Sequence, residues 1–268
     1  MTPTANALTA LVLAGSRGRS DPVARGAGRR HKALVPVYRV PMLERVVAAL
    51  DASRSIGRLA LSLGDTEIVE ELPAIAARAK NGGIVVVPAA SSPAESVRAA
   101  LTGLDHPYPL LVTTSDHPLL TAEIIDHFCT AAAAADADLV VAVATASVVA
   151  QTYPGAARTY YRFAGEGYSG CNLFYLRGPA AERAIAFWSK MERHRKRPWR
   201  LIAAIGPRLL LRFVVGRLTL HQAVAALSRR MGVTVAALPL PFAEAAIDVD
   251  KLSDLALAEQ ILQRRESR

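Results

Sequence analysis

The sequence predicts an α/β protein with a mostly parallel central sheet and helices on both faces. Three observations lead there. Short apolar runs rich in β-branched residues alternate with segments of helical period from residue 8 onward. The strand-like runs carry few polar residues, as strands covered on both faces do. Aromatics are few, at 6%, while alanine is abundant, which suits helices packed closely on a sheet.

Taken in order, residues 8–14, 59–63, 84–87, 110–114, 139–144 and 172–176 read as strands. Residues 41–50, 67–79, 93–104 and 122–135 between them read as helices. Near residue 150 the rhythm breaks. Residues 151–169, rich in Tyr, Gly and Arg, predict a hairpin or lid, and residues 178–231 predict a helical basic and apolar insertion. A strand over 233–238 and a helix over 252–263 close the chain. In such Rossmann-like sheets ligands bind at the carboxyl ends of the strands, near a switch point in strand order, so the loops after strands hold the candidate site.

Composition bounds the possibilities. With 268 residues, 51% of them hydrophobic, the chain suits a single domain over 1–268. Two cysteines, Cys129 and Cys171, cannot build a disulfide framework, so a reduced, cytoplasmic setting is expected. The opening MTPTANALTALVLAG has neither a basic n-region nor a long apolar stretch, and no signal peptide is expected. No window reaches the ~18 apolar residues of a spanning helix. The net charge of +9 is concentrated in two places. Residues 190–217 hold nine Lys/Arg and one acid, and residues 17–32 hold six and one.

The first strand runs into LVLAGSRGRS and then RRHKAL. Glycine after a buried strand lets backbone N–H groups approach phosphate, and Arg and Lys add charge. The spacing is neither that of a Walker loop nor GxGxxG. Further on, the strand LLVTT leads into SDHPLL, which places Asp116 at the carboxyl end of a central strand. Magnesium prefers one or two carboxylates together with phosphate oxygens, and Asp116 fits that need. His117 reads as a structural hydrogen-bonder, since no zinc-type spacing occurs among the six histidines. In AIDVDKLSDL, Asp248 and Asp250 alternate, so both face one side of an extended segment.

The opening LVLAGSRGRS…HKALVPVYRVPMLERVV resembles that of the MobA-like nucleotidyltransferases, which show LAGG, a basic loop, K-x-L and a helix. The stretches PAESVRAAL, SDHPLL, YSGCNLFYLRG and AIDVDKLSDL resemble that family's later motifs in the same order. The resemblance implies a GT-A-like nucleotidyltransferase fold and Mg²⁺-dependent transfer of an NMP unit from an NTP to a small phosphorylated acceptor. It implies nucleotide contacts at Leu13, Ala14, Gly15, Ser16, Arg17, Gly18, Lys32 and Ser96. Lys32, Arg17 and Asp116 become the catalytic candidates, and Gly170 and Asn172 the acceptor contacts. Asp116 with Asp248 or Asp250 becomes the metal set. The sequence departs from the family pattern at Ser16, where a glycine is usual, and in a longer loop before Lys32. Which of Arg17, Arg19, Arg25, Arg29 and Arg30 touches phosphate stays open.

Residues 193–220 interleave LIAAI, LLL and FVV with arginines. They read either as a helical element packed on the sheet or as a peripheral contact with an anionic membrane at its inner face. Nucleic acid is not expected, because aromatics do not recur along the patch. Two rival functions keep a place. A GT-A-like glycosyltransferase using a nucleotide sugar would exploit the D-x-D spacing at Asp248–Asp250, and a non-catalytic nucleotide-binding or membrane-surface protein would bind without turnover.

Overall fold

A computed structural model describes residues 7–15, 21–192 and 206–267. In chain order the elements begin with β1 (Leu8–Ala14), α1 (Pro22–Gly26), the hairpin β2 (Pro36–Val37) and β3 (Val40–Pro41), and α2 (Met42–Ala52). There follow β4 (Ile56–Leu63), a 3-10 segment Thr66–Glu71, α3 (Pro73–Lys80), β5 (Val85–Pro88) and α4 (Pro93–Gly103). The middle of the chain supplies β6 (Leu110–Thr114), α5 (Ala122–Ala134), β7 (Leu139–Thr145), α6 (Ala146–Thr152), β8 (Tyr161–Phe163) and β9 (Glu166–Leu176). The last third gives α7 (Glu182–Glu192), α8 (Pro207–Val214), α9 (Leu220–Met231), β10 (Val235–Pro239) and α10 (Leu252–Glu266).

The main sheet runs β10-β7-β9-β6-β1-β4-β5, with β8 paired to β9 as a hairpin. β1 pairs in parallel with both β4 and β6, whereas β9 runs antiparallel between β6 and β7. The chain therefore moves outward from β1 to β5 and returns on the other side of β1 as β6. That reversal is the switch point, and the region beyond the carboxyl ends of β1 and β6, here called the crevice, is where such sheets take ligands.

Alternation along β1 explains the layering. Ala10, Val12 and Ala14 pack with Leu43, Val46 and Leu50 of α2 and with Ile125 and Phe128 of α5. Leu11 faces the other way, in a cluster with Val97 and Ala100 of α4 and with Leu110 and Val112 of β6. A third cluster joins Val23 and Ala24 of α1, Met42, Val249, and Ala258 and Ile261 of α10 beneath the crevice. α1 and α10 approach so closely that a Cβ on Gly26 would lie 2.8 Å from Leu252 Cδ2.

Several expectations need correction. The helix expected over 67–79 is two elements, a 3-10 segment and α3. Pro73 sits at the first position of α3, where its missing N–H costs nothing but its ring cannot continue a preceding turn. The helix expected from residue 41 starts at Met42, because Val40–Pro41 pairs as β3. The strand expected over 172–176 begins at Glu166, and residues 161–169 form the β8–β9 hairpin. α1 and α6 were not expected; each is short and is held by its cap, Asp21 for α1 and Thr145 for α6. Of the insertion expected over 178–231, α7, α8 and α9 are helical, and residues 193–205 lie outside the described residues.

Candidate active site

The crevice is assembled from the loops after β1 and β6, the segment before α10 and the irregular stretch of β9. β1 delivers Leu13, Ala14 and Gly15 to its edge, and the amide of Ser115 donates to the carbonyl of Leu13, locking the β6 loop beside the β1 loop at 2.9 Å. Among the described residues, a Cβ on Gly15 would meet no atom within 4 Å. The candidates Ser16, Arg17 and Gly18 lie outside the described residues.

The rest of that loop is organised by short-range hydrogen bonds. The Asp21 carboxylate accepts from the amides of Val23 and Ala24 at 3.0 Å and so starts α1. His31 starts the 3-10 turn Lys32–Leu34, its Nδ1 accepting from the amide of Ala33 at 3.0 Å. Buried as it is, His31 titrates below the ordinary histidine range, because desolvation disfavours the imidazolium. Arg30 points the other way. It pairs with Asp65, Glu67 and Glu71 on the turn after β4, which commits it to tying the loop to its neighbour. Arg25 and Arg29 are exposed on and just beyond α1.

Lys32 stands at the centre of the crevice. Its Nζ lies 2.7 Å from Asp116 Oδ2 and 3.0 Å from Asp250 Oδ1. The Lys32 and Asp116 side chains are 13% and 20% exposed, and Asp250 is 60% exposed. Burial by itself would lower the lysine pKa, but the charges of Asp116 and Asp250 and hydrogen bonds to both outweigh it and hold it above the ordinary lysine value. Thr114 Oγ1 donates to the other oxygen of Asp116, fixing the carboxylate at the end of β6. His117, 1% exposed, donates from Nε2 to the carbonyl of Glu244 at 3.3 Å, and desolvation lowers its pKa. It is a structural hydrogen-bonder under the site.

The C-terminal aspartates arrive together but do different things. The Val249 amide donates to the carbonyl of Asp116, and its side chain is fully buried, so Asp248 and Asp250 both turn toward the crevice. Asp250 joins Lys32. Asp248 instead takes a hydrogen bond from Asn172 Nδ2 at 3.0 Å and an ion pair from Arg158, which also reaches Asp254 at 3.6 Å. Asp254 in turn accepts from the amides of Asp250 and Lys251 at 3.1 Å.

Asn172 reaches Asp248 because β9 is irregular there. Val141 of β7 faces Phe174 and Val143 faces Gly170, so β9 carries two extra residues across this stretch. Asn172 adopts φ +50, a left-handed conformation that asparagine tolerates better than most residues. Gly170 is exposed, and a Cβ there would meet nothing within 4 Å. Ser96, on α4, is buried and accepts from the amide of Ala90 at 2.9 Å. It shapes the loop between β5 and α4. Cys171 and Cys129 are buried, and burial pushes each thiol up to about 12.

The structure thus brings Gly15, Lys32, Asp116, Asn172, Asp248 and Asp250 to one crevice. Sequence reasoning missed Arg158, which sits in an irregular segment before β8 where no local pattern marks one arginine among several. It also missed Thr114 and Asp254, whose roles depend on partners that only folding supplies. Among the described residues, no group of three or more His, Cys, Asp or Glu side chains is placed to hold a metal ion by itself.

The model of the MobA-like NTP transferase domain family matches residues 10–164. The chain belongs to this nucleotidyltransferase family. A solved structure of a hypothetical transferase from Thermus thermophilus is 30% identical, with 93% of this chain and 99% of that one covered and a TM-score of 0.75. The 4-diphosphocytidyl-2C-methyl-D-erythritol synthase of Anaerococcus prevotii superposes with a TM-score of 0.56 at 12% identity, covering 97% of this chain and 99% of that one. CMP:2-keto-3-deoxy-manno-octonic acid synthetase, solved in complex with CTP, gives 0.57 at 9% identity, covering 97% and 98%. At such identities these last two attest the shared fold. No curated protein matches in sequence. Among the described residues, no helix is long and apolar enough to cross a membrane.

Proposed function

We propose that this protein is a cytoplasmic, Mg²⁺-dependent nucleotidyltransferase that transfers an NMP unit from an NTP to a small phosphorylated acceptor and releases pyrophosphate. One observation carries the reading: the Lys32 ammonium held between Asp116 and Asp250 at the carboxyl end of the central strands. Two carboxylates that converge on one cation are hard oxygen donors, the kind that Mg²⁺ takes together with phosphate oxygens and water. The donor set therefore fits the metal, with Asp116 and Asp250 as the holders. Asp248 is the weaker choice, since its ion pair with Arg158 draws it away from Asp116, whereas Asp250 shares Lys32 with Asp116. When bound, the ion would neutralise charge on the nucleotide phosphates.

In the proposed reaction, an oxygen of the acceptor phosphate attacks the α-phosphorus of the NTP. The bond from that phosphorus to the oxygen bridging to the β-phosphate breaks, and pyrophosphate leaves with the electron pair. A phosphate monoester is largely ionised at neutral pH, so the step needs no general base. Buried His117 and the two buried thiols agree with that. Lys32 is charged throughout, and swinging from its two aspartates to the nucleotide would place that charge on the α-phosphate. Gly15 and the loop to Lys32, including Arg17, would cradle the phosphates. Asn172, on the bulge of β9 beside Gly170, would contact the acceptor.

The test is a panel of the four NTPs with and without Mg²⁺, read by thermal shift for the wild type and Asp116→Ala, followed by pyrophosphate release with phosphorylated acceptors. A Mg²⁺-dependent shift with one NTP, lost in the variant, is expected. A shift with nucleotide sugars and none with any NTP would move the protein to the glycosyltransferases.

A further inference from the structure

The crevice leaves one part of the molecule unexplained. Three of the large hydrophobic side chains exposed among the described residues fall within five positions of α8 and its cap: Leu211 at 64%, Val214 at 74% and Val215 at 54%. Their spacing, i, i+3 and i+4, puts them on one face. The opposite face of α8 is already satisfied. Phe213 packs edge-on against Phe163 at 6.4 Å between ring centroids, and Leu209 and Leu210 are partly buried. Among the described residues, the outward side chains therefore lie off the face that packs on the body.

Charge surrounds them. Arg208 and Arg212 on the helix and Arg217 just after it are exposed. The sequence from 193 to 243 contains no acidic residue at all, and residues 193–217 contain eight Lys/Arg. Exposed aliphatic side chains framed by arginines that have no ion-pair partner among the described residues match a surface that offers anionic headgroups over an apolar interior. Nucleic acid would satisfy the arginines but give nothing to Leu211, Val214 and Val215, which cannot stack on bases.

We propose that α8 docks on an anionic lipid bilayer, inserting Leu211, Val214 and Val215 below the headgroups while Arg208, Arg212 and Arg217 pair with lipid phosphates. The element is coupled to the body of the protein at the β8–β9 turn, where the Ala164 amide donates to the Leu218 carbonyl at 2.8 Å. From that turn β9 runs directly to Gly170 and Asn172. Docking thus holds the strand that borders the acceptor side of the crevice. The proposal stands whether or not the transferase reading does, because its test reads binding without turnover.

The full-length protein is sedimented with vesicles of phosphatidylcholine alone and of phosphatidylcholine mixed equally with phosphatidylglycerol. Binding to the mixed vesicles only is expected. The variant Leu211→Ser/Val214→Ser/Val215→Ser keeps every charge and should weaken binding at least tenfold. Arg208→Gln/Arg212→Gln should weaken it about fivefold per arginine. As a readout free of any effect on folding, Val214→Cys labelled with a polarity-sensitive dye should shift its emission to the blue on adding mixed vesicles. No binding to mixed vesicles, equal binding by the serine variant, or a dye that stays in water would each overturn the proposal. Polyuridylate bound equally by the wild type and the serine variant, with vesicles bound by neither, would assign the patch to nucleic acid.

Discussion

Replacing Lys32 with methionine keeps the length of the side chain and removes its charge, which leaves Asp116 and Asp250 facing each other across the vacated position. Losing one partner of a fully buried ion pair costs about 3–5 kcal/mol. Here the Asp250 contact, at 3.0 Å from a carboxylate 60% exposed, is screened and adds little. The contact with Asp116, at 2.7 Å between side chains 13% and 20% exposed, carries most of the effect. About 2 kcal/mol is a reasonable net loss, which for a chain of this length lowers the melting temperature by about 4–8 °C. Millimolar Mg²⁺ should restore part of that loss in the variant and do less for the wild type, where the ammonium already holds the place. Pyrophosphate release should fall by about 10²–10³, the usual cost of removing one preorganised charge-stabilising group. Calorimetry with and without Mg²⁺ and a coupled pyrophosphate assay read the two effects separately. A Lys32→Met protein that melts with the wild type and turns over within tenfold of it would refute the central role given to this lysine.

Other expectations follow from the same contacts. Arg158→Met leaves Asp248 and Asp254 without their shared cation at a site where all three side chains are less than a fifth exposed; urea unfolding should show a loss of about 3 kcal/mol, and a loss below about 0.5 kcal/mol would show that the ion pair contributes nothing. Native Cys129 and Cys171, both buried with thiols at about 12, should resist a disulfide reagent at pH 8 and react as two thiols per chain in denaturant. His31 and His117 both have folded pKa values lowered from 6.5, so the unfolded chain binds their protons first as pH falls. Stability should therefore be constant above about pH 7 and decline below 6.5, by up to about 1.4 kcal/mol per pH unit for each histidine. Urea midpoints measured from pH 7.5 to 5 should show that decline, with a shallower one in His117→Gln; a flat profile would mean that neither histidine is held neutral.

The strands and most helices were legible because they depend on local periodicity. β1 and β6 appear at their observed bounds, since an apolar run ended by Gly15 or by Ser115–Pro118 carries its own boundary. The 3-10 break before α3 was less legible, as Pro73 alone does not show whether a helix kinks or restarts. Short α1 and α6 fell below the length at which periodicity speaks, and only their caps, Asp21 and Thr145, mark them.

The site divided along a similar line. Gly15, Lys32, Asp116 and the two C-terminal aspartates were candidates through their places in the chain together with the resemblance to the family's motifs. The division of labour between Asp248 and Asp250 could not be named from the chain, since two carboxylates on alternate positions look alike until their partners are known. Folding supplies the partners: Lys32 comes from 218 positions away to meet Asp250, and Arg158 from 90 away to meet Asp248. Asn172 joins Asp248 only through the two extra residues in β9, an irregularity defined by pairing with β7. Local sequence records what a segment prefers, whereas a charge pair depends on which segments the sheet order sets side by side, and that order is fixed by burial of the whole core.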